Sequence, residues 1–148
     1  MADWAPTMAE SIFDIAQRAF DSQPFSQYVG ARLESVDEDE IEIALPVRAE
    51  LLQQYGYVHG GVLSYLADNA LTFAGGLALG GNALTSEFKI NYLRPATGSI
   101  LTARAWVIAK TRRQAVCACE VSCTDEEGVA SLVAAAQGTI VSTSPPDG

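Results

Sequence analysis

The segment from Gly60 to Leu79 constrains the fold of this chain more than any other. It is long enough for a central helix and apolar on nearly every side, and Asp68 is the one residue within it that is charged at neutral pH. A helix that is apolar all round is stable only when it is buried. The residues after it alternate between apolar and polar in four runs, which predicts antiparallel strands joined by short turns. We therefore expect an α+β protein in which an antiparallel sheet wraps around a long central helix.

The remaining elements follow from periodicity and turn residues. Residues 7–20 have the apolar spacing of an amphipathic N-terminal helix. Residues 142–148 are interpreted as a flexible tail. No repeat or linker divides the chain, so we expect a single domain over residues 1–148. The predicted strands cover residues 32–36, 41–45, 83–92, 99–108, 114–124 and 129–141.

Composition excludes several classes of function. A net charge of −9 argues against a general nucleic-acid binder. The first residues lack a basic region followed by an apolar run, which is how a signal peptide begins. No apolar run is plain enough to cross a bilayer, since residues 60–79 include Ser, Tyr, Asp, Asn and Thr. We expect a cytoplasmic protein that binds neither nucleic acid nor membrane.

Two local groups of residues are of types that can bind a ligand. Cys117, Cys119 and Cys123 share one face of a predicted strand, but no second Cys or His cluster completes a metal site. We interpret them as small buried side chains and expect no metal. From Lys89 to Arg113 there are six basic residues and no acidic one. This run is either a solvated sheet edge or a seat for an anionic ligand such as a nucleotide phosphate.

The segment from Gln53 to Asp68 has the features of a reaction site. It is a predicted loop that delivers Gly60 and Gly61 to the start of the long helix. Bare backbone N–H donors lie there, at the positive end of the helix dipole. A lone carboxylate in an apolar helix is costly unless it is paired, hydrogen-bonded or used. Donors for an oxyanion together with a base or nucleophile are the minimum for attack on an activated carbonyl.

If Gly60 and Asp68 act on one reacting group, their spacing on the helix requires two copies of the chain. Gly60 and Asp68 are eight residues apart, which is about 12 Å along a helix. A nucleophile and its oxyanion donor must each lie roughly 3 Å from the reacting carbonyl. Two antiparallel helices can meet that condition, with Asp68 of one subunit beside Gly60 of the other. Gly60 and Asp68 belong to one polar stripe along the predicted helix, whose residues are spaced four apart: Gly60, Ser64, Asp68 and Thr72.

The order of elements and the segment from His59 to Asp68 resemble the hotdog-fold acyl-CoA thioesterases of the phenylacetate-degradation (PaaI) type. Residues 85–95 and Gly98 match as well, and the resemblance covers about residues 25–141. It implies a hotdog fold and a homodimer with a continuous sheet, often paired into a dimer of dimers. The acyl-CoA substrate is then expected at the dimer interface. Coenzyme A is part of that substrate, so no separate cofactor is expected.

The resemblance also implies roles for individual residues. The backbone N–H of Gly60 would polarise the thioester carbonyl, and Asp68 would act as nucleophile or as the base for water. Gln53 occupies the position of an orienting amide, where the PaaI type usually has Asn and the 4-hydroxybenzoyl-CoA thioesterase branch has Gln. That branch uses a supporting Thr on the helix, which matches Thr72. The PaaI type uses a Ser or Thr from the following strand, which matches Thr85.

The other candidates are less specific. His59, the single histidine, is a catalytic candidate whose expected role is to hold the loop through hydrogen bonds. Asp68 has an alternative interpretation as a structural buried acid, and the arginines as exposed turn charges. Three arginines are candidates for the CoA phosphates. The substrate-binding candidates are Gly61, Ser64, Asn69, Arg94, Arg112 and Arg113.

We expect an acyl-CoA thioesterase that converts an aromatic or medium-chain acyl-CoA to the free acid and CoA. One alternative is a hydratase or dehydratase of the same fold, in which His59 and Asp68 transfer protons. The other is a protein that binds acyl-CoA without catalysis. Free CoA from an enoyl-CoA indicates hydrolysis, a hydroxyacyl-CoA indicates hydration, and tight binding without release of a thiol indicates a binding protein.

Overall fold

The structure, a computed structural model, describes residues 10–38 and 40–145. The predicted architecture is confirmed, because an antiparallel sheet of six strands in this part of the chain curls around one long helix. The elements in chain order are α1 (Ile12–Asp21), α2 (Pro24–Val29), β1 (Arg32–Val36), β2 (Glu40–Pro46), a 3₁₀ turn (Ala49–Leu51), α3 (Gly60–Leu79), β3 (Ala83–Tyr92), β4 (Ile100–Lys110), β5 (Gln114–Thr124) and β6 (Ala130–Ser142).

The sheet has the strand order β1-β2-β4-β5-β6-β3, and every neighbouring pair is antiparallel. Strand β3 therefore lies at one edge, where it pairs with β6 on one side and with no described strand on the other. Helix α3 packs against β2 to β6 and supplies much of the core. Helix α1 packs against β1 and against α2.

Helix α3 has the predicted bounds, and local signals account for both ends. The Nδ1 atom of His59 accepts a hydrogen bond from the N–H of Gly61, and Gly80 ends the helix in the left-handed conformation (φ 76°). A Cβ atom at Gly75 would lie 2.5 Å from Ile140, so glycine permits the close approach of α3 to β6. The helix has the length and composition of a membrane span, but half of it is buried within the protein. Its apolar surface is that of a core helix.

Strand β3 contains a bulge that changes which side chains face the helix. Its pairing with β6 shifts between Thr85 and Glu87, so Ser86 is an extra residue on the β3 side. Half-buried positions are therefore Thr85 before the bulge and Phe88 and Ile90 after it. Strict alternation would have placed Thr85 and Phe88 on opposite faces.

Two predicted boundaries near the ends of the chain need correction, and one short helix was not predicted. The N-terminal helix begins at Ile12 and not at residue 7, because Ser11 and Asp14 form a capping box there; residues 7–9 lie outside the described residues. Helix α2 was not predicted, although Pro24 at its first turn and Gly30 at its end (φ 85°) are typical signals. The tail predicted from residue 142 starts later, because Ser142 is the last residue of β6. The N–H of Thr143 also donates to Asn82 O at 3.0 Å. Residues 146–148 lie outside the described part.

The three cysteines are buried and free, as interpreted from their spacing. Burial raises the pKa of Cys117 to about 11 and that of Cys119 to about 12, and it also raises the pKa of Cys123. Because the thiolate is the reactive form, we expect these thiols to resist disulfide reagents at pH 8 in the folded protein. Titration with Ellman's reagent should detect almost no thiol until denaturant is added, and all three afterwards. Rapid labelling of the native protein would contradict this burial.

Candidate active site

Asp68 lies at the centre of a hydrogen-bonded cluster on the side of α3 that faces β3. Thr85 Oγ1 donates to Asp68 Oδ1 at 2.5 Å, and Thr72 Oγ1 lies 2.7 Å from Asp68 O and 2.7 Å from Thr85 Oγ1. The structure therefore brings together Thr72 and Thr85, the two threonines that the family resemblance implies as alternative supports for the acid. Thr72 reaches the carboxylate itself only at 3.5 Å.

The two threonine hydroxyls have too few protons to occupy both oxygens of the Asp68 carboxylate. Each threonine hydroxyl has one proton to donate. The Thr85 proton is used on Asp68 Oδ1, so the Thr72 proton goes to Asp68 O or to Thr85 Oγ1. No residue in the described part donates to Asp68 Oδ2. One carboxylate oxygen is thus fixed in orientation while the other can contact a substrate carbonyl or a water molecule.

A cavity of about 500 Å³ opens next to Asp68, between the two N-terminal helices, α3 and the start of β3. Asp68 is half-buried in its wall. The cavity is large enough for an acyl group of moderate size and combines apolar walls with a few polar groups, which is typical of small-molecule sites. The residues that line it include Gln23, Phe25, Ser26, Tyr65, Asn69 and Thr72.

Gly60 supplies the open backbone donor at the start of α3. Its N–H donates to no acceptor within residues 10–38 and 40–145, whereas the N–H of Gly61 donates to His59 Nδ1 at 2.8 Å. His59 thus caps the helix with its imidazole, as a residue that holds the loop would. Its Nδ1 atom is occupied as an acceptor and is not free to serve as a base. The amide of Gly61, a predicted substrate-binding residue, is likewise already used.

Tyr92, which the sequence analysis did not select, holds the same helix turn. Its hydroxyl donates to Gly60 O at 3.1 Å and lies 2.6 Å from Ser64 Oγ. Ser64 must then donate to Tyr92, since the tyrosine proton is used on the carbonyl. The aromatic residue at the end of the predicted strand 83–92 was the available signal, but its contact with Gly60 depends on the tertiary fold.

A second cavity, of about 410 Å³, contains Gly60, Gln53, Tyr92 and Arg94. Gln53 Oε1 accepts hydrogen bonds from the N–H groups of Tyr55 (2.5 Å) and of Tyr57 (3.3 Å), so this side chain shapes its own loop. Its amide nitrogen donates to no described residue. Arg94 forms no hydrogen bond or ion pair within the described part, and it is the basic candidate that shares a cavity with Gly60.

The two cavities have no lining residue in common. Asp68, Thr72 and Asn69 line the first, whereas Gln53 and Gly60 line the second. Within the described residues, the carboxylate of Asp68 and the open backbone donor of Gly60 therefore line separate cavities.

The run of basic residues does not form one phosphate seat. Arg104 pairs with Glu40 at 2.8 Å and lies over the ring of Trp106, and Lys110 Nζ donates to Ala78 O. Arg113 donates to the carbonyl oxygens of Ser142 and Ser144, and Arg112 is in the same turn; neither arginine lines either cavity. Within the described residues, no group of three His, Cys, Asp or Glu side chains is arranged for a metal.

Replacement of Thr85 by Val should impair turnover, because it removes the donor that orients Asp68. A hydrogen bond to a charged group is worth about 1.5–3 kcal/mol, so we expect kcat to fall by about 10- to 100-fold while KM changes little. Thr85→Ser retains the hydroxyl and should preserve most of the activity. Steady-state rates of thiol release from an acyl-CoA measure both variants. Equal rates for the two would show that the hydroxyl does not orient the carboxylate.

The chain is similar to known thioesterases in sequence and in structure. Residues 55–130, slightly more than half of the chain, match the family model of the thioesterase superfamily. The chain is 32% identical over 104 residues to acyl-coenzyme A thioesterase PaaI of Escherichia coli, covering 68% of this chain and 71% of that protein. It is 35% identical over 80 residues to a relative from Haemophilus influenzae, of which it covers 58%. The solved structure of a thioesterase family protein from Silicibacter pomeroyi superposes with a TM-score of 0.77 at 27% identity, covering 85% of this chain and 93% of that one.

Proposed function

The chain belongs to the thioesterase superfamily, and from that premise we propose that it hydrolyses an acyl-CoA to the free acid and coenzyme A. The observation that carries this proposal is the Asp68 carboxylate, which accepts a hydrogen bond from Thr85 at one oxygen and lies in the wall of a cavity of acyl size. The predicted hotdog thioesterase type and enzyme class agree with the family match and with the PaaI relative. We take coenzyme A as the thiol portion of the substrate from the name of that relative.

We propose that the complete site forms between two copies of the chain. Thr85, near the start of β3, contacts Asp68, and Tyr92, at the end of β3, contacts Gly60. The two halves of the site thus lie beside opposite ends of the edge strand. A second copy that pairs antiparallel with the open edge about residues 88–89 would bring Thr85 of one copy opposite Tyr92 of the other. Asp68 of one copy would then approach Gly60 of its partner.

The edge strand has the surface expected of such a contact. Leu84, Tyr92 and the adjacent Leu93 each expose about half or more of their side chains (62%, 53% and 49%). Burial of these apolar groups would favour association. The arrangement of these dimers into a dimer of dimers remains a prediction from the family resemblance.

In this site, the Gly60 N–H would donate to the thioester oxygen as negative charge develops there. Asp68 would either attack the carbonyl carbon itself or take a proton from the attacking water. The carbon–sulfur bond then breaks, and the CoA thiolate leaves and takes up a proton. When Asp68 attacks, water subsequently hydrolyses the anhydride, so both routes consume one water and release acid and CoA.

Arg94 is our candidate for contact with the CoA phosphates, because it lies unpaired beside Gly60 in the second cavity. Arg94→Gln should raise KM for an acyl-CoA by about fivefold or more, as expected from a charge-assisted phosphate contact, and leave kcat nearly unchanged. The same variant should not affect an N-acetylcysteamine thioester, which has no phosphate. Arg113→Gln is the matched control. An equal change in KM for both thioesters would exclude a phosphate contact.

A screen of aromatic and straight-chain acyl-CoAs with detection of free thiol tests the proposed function. We expect release of CoA from at least one aromatic or medium-chain member. Formation of a hydroxyacyl-CoA from an enoyl-CoA would support the hydratase, although its His59 has Nδ1 occupied by a helix cap. Tight binding without release of thiol would support a binding protein. The cytoplasmic location remains a prediction.

A further inference from the structure

Four polar side chains form a closed ring of hydrogen bonds between the N-terminal helices and α3. Ser26 Oγ donates to Gln23 Oε1 at 2.6 Å, and Gln23 Nε2 donates to Asn69 Oδ1 at 3.2 Å. Asn69 Nδ2 donates to the Tyr65 hydroxyl at 3.3 Å. Since the Ser26 proton is already used, the Tyr65 hydroxyl donates to Ser26 Oγ at 2.5 Å and closes the ring.

The ring is partly buried and links α2 to α3. Ser26 and Asn69 are 1% and 9% exposed, and burial raises the pKa of Tyr65 even though its hydrogen bonds act in the opposite direction. Buried polar groups are costly unless all of them are satisfied, and a satisfied network allows few alternative arrangements. Apolar side chains would fill this space without such directionality. The ring therefore specifies where α2 lies relative to α3.

The same ring lines the cavity that contains Asp68. Tyr65 precedes Asp68 by three residues, so both side chains lie on neighbouring positions of one helix face. The ring of Phe25, on α2, packs against that of Tyr65 at 5.1 Å in an edge-to-face arrangement. Phe25 nevertheless remains 58% exposed and is therefore not a core residue.

We infer that Phe25 and Tyr65 are the specificity-determining wall of the acyl pocket, and that the ring of Gln23, Ser26, Tyr65 and Asn69 positions this wall. The inference rests on the proposed function, because it identifies the Asp68 cavity as the acyl site. An acyl group that enters next to Asp68 meets the aromatic pair at the α2 side of the cavity. The pair then limits the length of acyl chain that fits with its carbonyl at Asp68.

Removal of the Phe25 ring tests the wall. Phe25→Ala should shift the optimum of a straight-chain acyl-CoA series toward longer chains and raise kcat/KM for the first poorly used member by about tenfold, the scale of discrimination by a hydrophobic pocket. Tyr28→Ala is the matched control, because Tyr28 is on the same helix, is 80% exposed and does not line the cavity.

Tyr65→Phe tests the positioning role of the ring separately. This variant keeps the aromatic contact with Phe25 but removes the hydroxyl that closes the ring. We expect a broader chain-length profile, with KM for the best substrate raised by about threefold to tenfold and kcat retained. If the Tyr65 hydroxyl has a purely structural role, Tyr65→Phe should have a lower melting temperature and an unchanged chain-length profile.

The outcomes separate the inference from the proposed function. If the unchanged protein hydrolyses no acyl-CoA, the proposed function fails and the inference fails with it. If it does hydrolyse acyl-CoAs and the profiles of Phe25→Ala and Tyr28→Ala both coincide with its own, the function stands and the inference is overturned. A shift in Phe25→Ala alone supports the wall, and a broadened profile in Tyr65→Phe supports its positioning by the ring.

Discussion

Asp68→Asn is expected to lower kcat for an acyl-CoA by about 10³-fold, within the range lost when a general base or nucleophile is removed. Asparagine has nearly the same volume and its Oδ1 atom can still accept the hydrogen bond from Thr85. The change therefore removes the charge and basicity of the second oxygen without creating a cavity and without leaving the Thr85 hydroxyl short of an acceptor. The rate of thiol release at saturating substrate measures the effect.

The melting temperature of Asp68→Asn should be close to that of the unchanged protein, which separates a chemical defect from unfolding. Glu126→Gln, in the exposed turn between β5 and β6, is a control for loss of one negative charge and should retain full turnover. Near-normal kcat in Asp68→Asn would mean that this carboxylate takes no part in the reaction, and Asp68 would then be a structural acid.

Gly60→Pro should be the second most damaging change, with a loss of about 10²- to 10³-fold in kcat, as when one oxyanion donor is removed. Proline has no N–H, and the first position of a helix is where it is best tolerated. His59 has φ −60° and ψ 136°, an extended conformation that is compatible with a following proline. The N–H that is lost donates to no described group, so the folded chain loses no internal hydrogen bond.

Gly60→Ala is the matched control, because alanine restores the N–H while it also adds a Cβ. That Cβ would lie 3.4 Å from the Tyr92 ring, an ordinary contact. We expect alanine to retain most of the turnover that proline abolishes, with similar melting temperatures for both variants. Equal losses in both would attribute the effect to crowding at Tyr92, and full activity in the proline variant would rule out this donor.

The long helix and its polar stripe could be predicted because both depend on local periodicity. Helix α3 has the predicted range, since its apolar residues surround the whole helix and a sheet had to cover them. Spacing on one helix also predicted that Thr72 would lie next to Asp68. The roles of these residues in a reaction are still predictions.

The approach of β3 to the helix could not be predicted, because it depends on the bulge at Ser86. An alternating strand from Ala83 to Tyr92 places Thr85 and Tyr92 on opposite faces, seven residues apart. The bulge shifts the alternation by one, so Thr85 contacts Asp68 and Tyr92 contacts Gly60 from the same strand. A bulge has no strong sequence signature when the extra residue is not glycine.

The proposed wall of Phe25 and Tyr65 beside Asp68 could not be predicted from the sequence for a different reason. Helix α2 has six residues, too few to display a helical period, and only Pro24 and Gly30 indicate its ends. The ring joins Gln23 to Asn69 across 46 residues of sequence. A contact of that kind depends on how the chain packs and leaves no trace in local patterns.

A mixed dimer tests the central claim, that the Asp68 of one chain and the Gly60 of another act on one thioester. Asp68→Asn and Gly60→Pro chains with different tags would be co-expressed, and the heterodimer would be purified through both tags. A shared site predicts that one of its two sites has both residues intact, so the heterodimer should regain about half of the unchanged dimer's activity although each parent is inactive. If the heterodimer is as inactive as its parents, Asp68 and Gly60 act from the same chain and the account is contradicted.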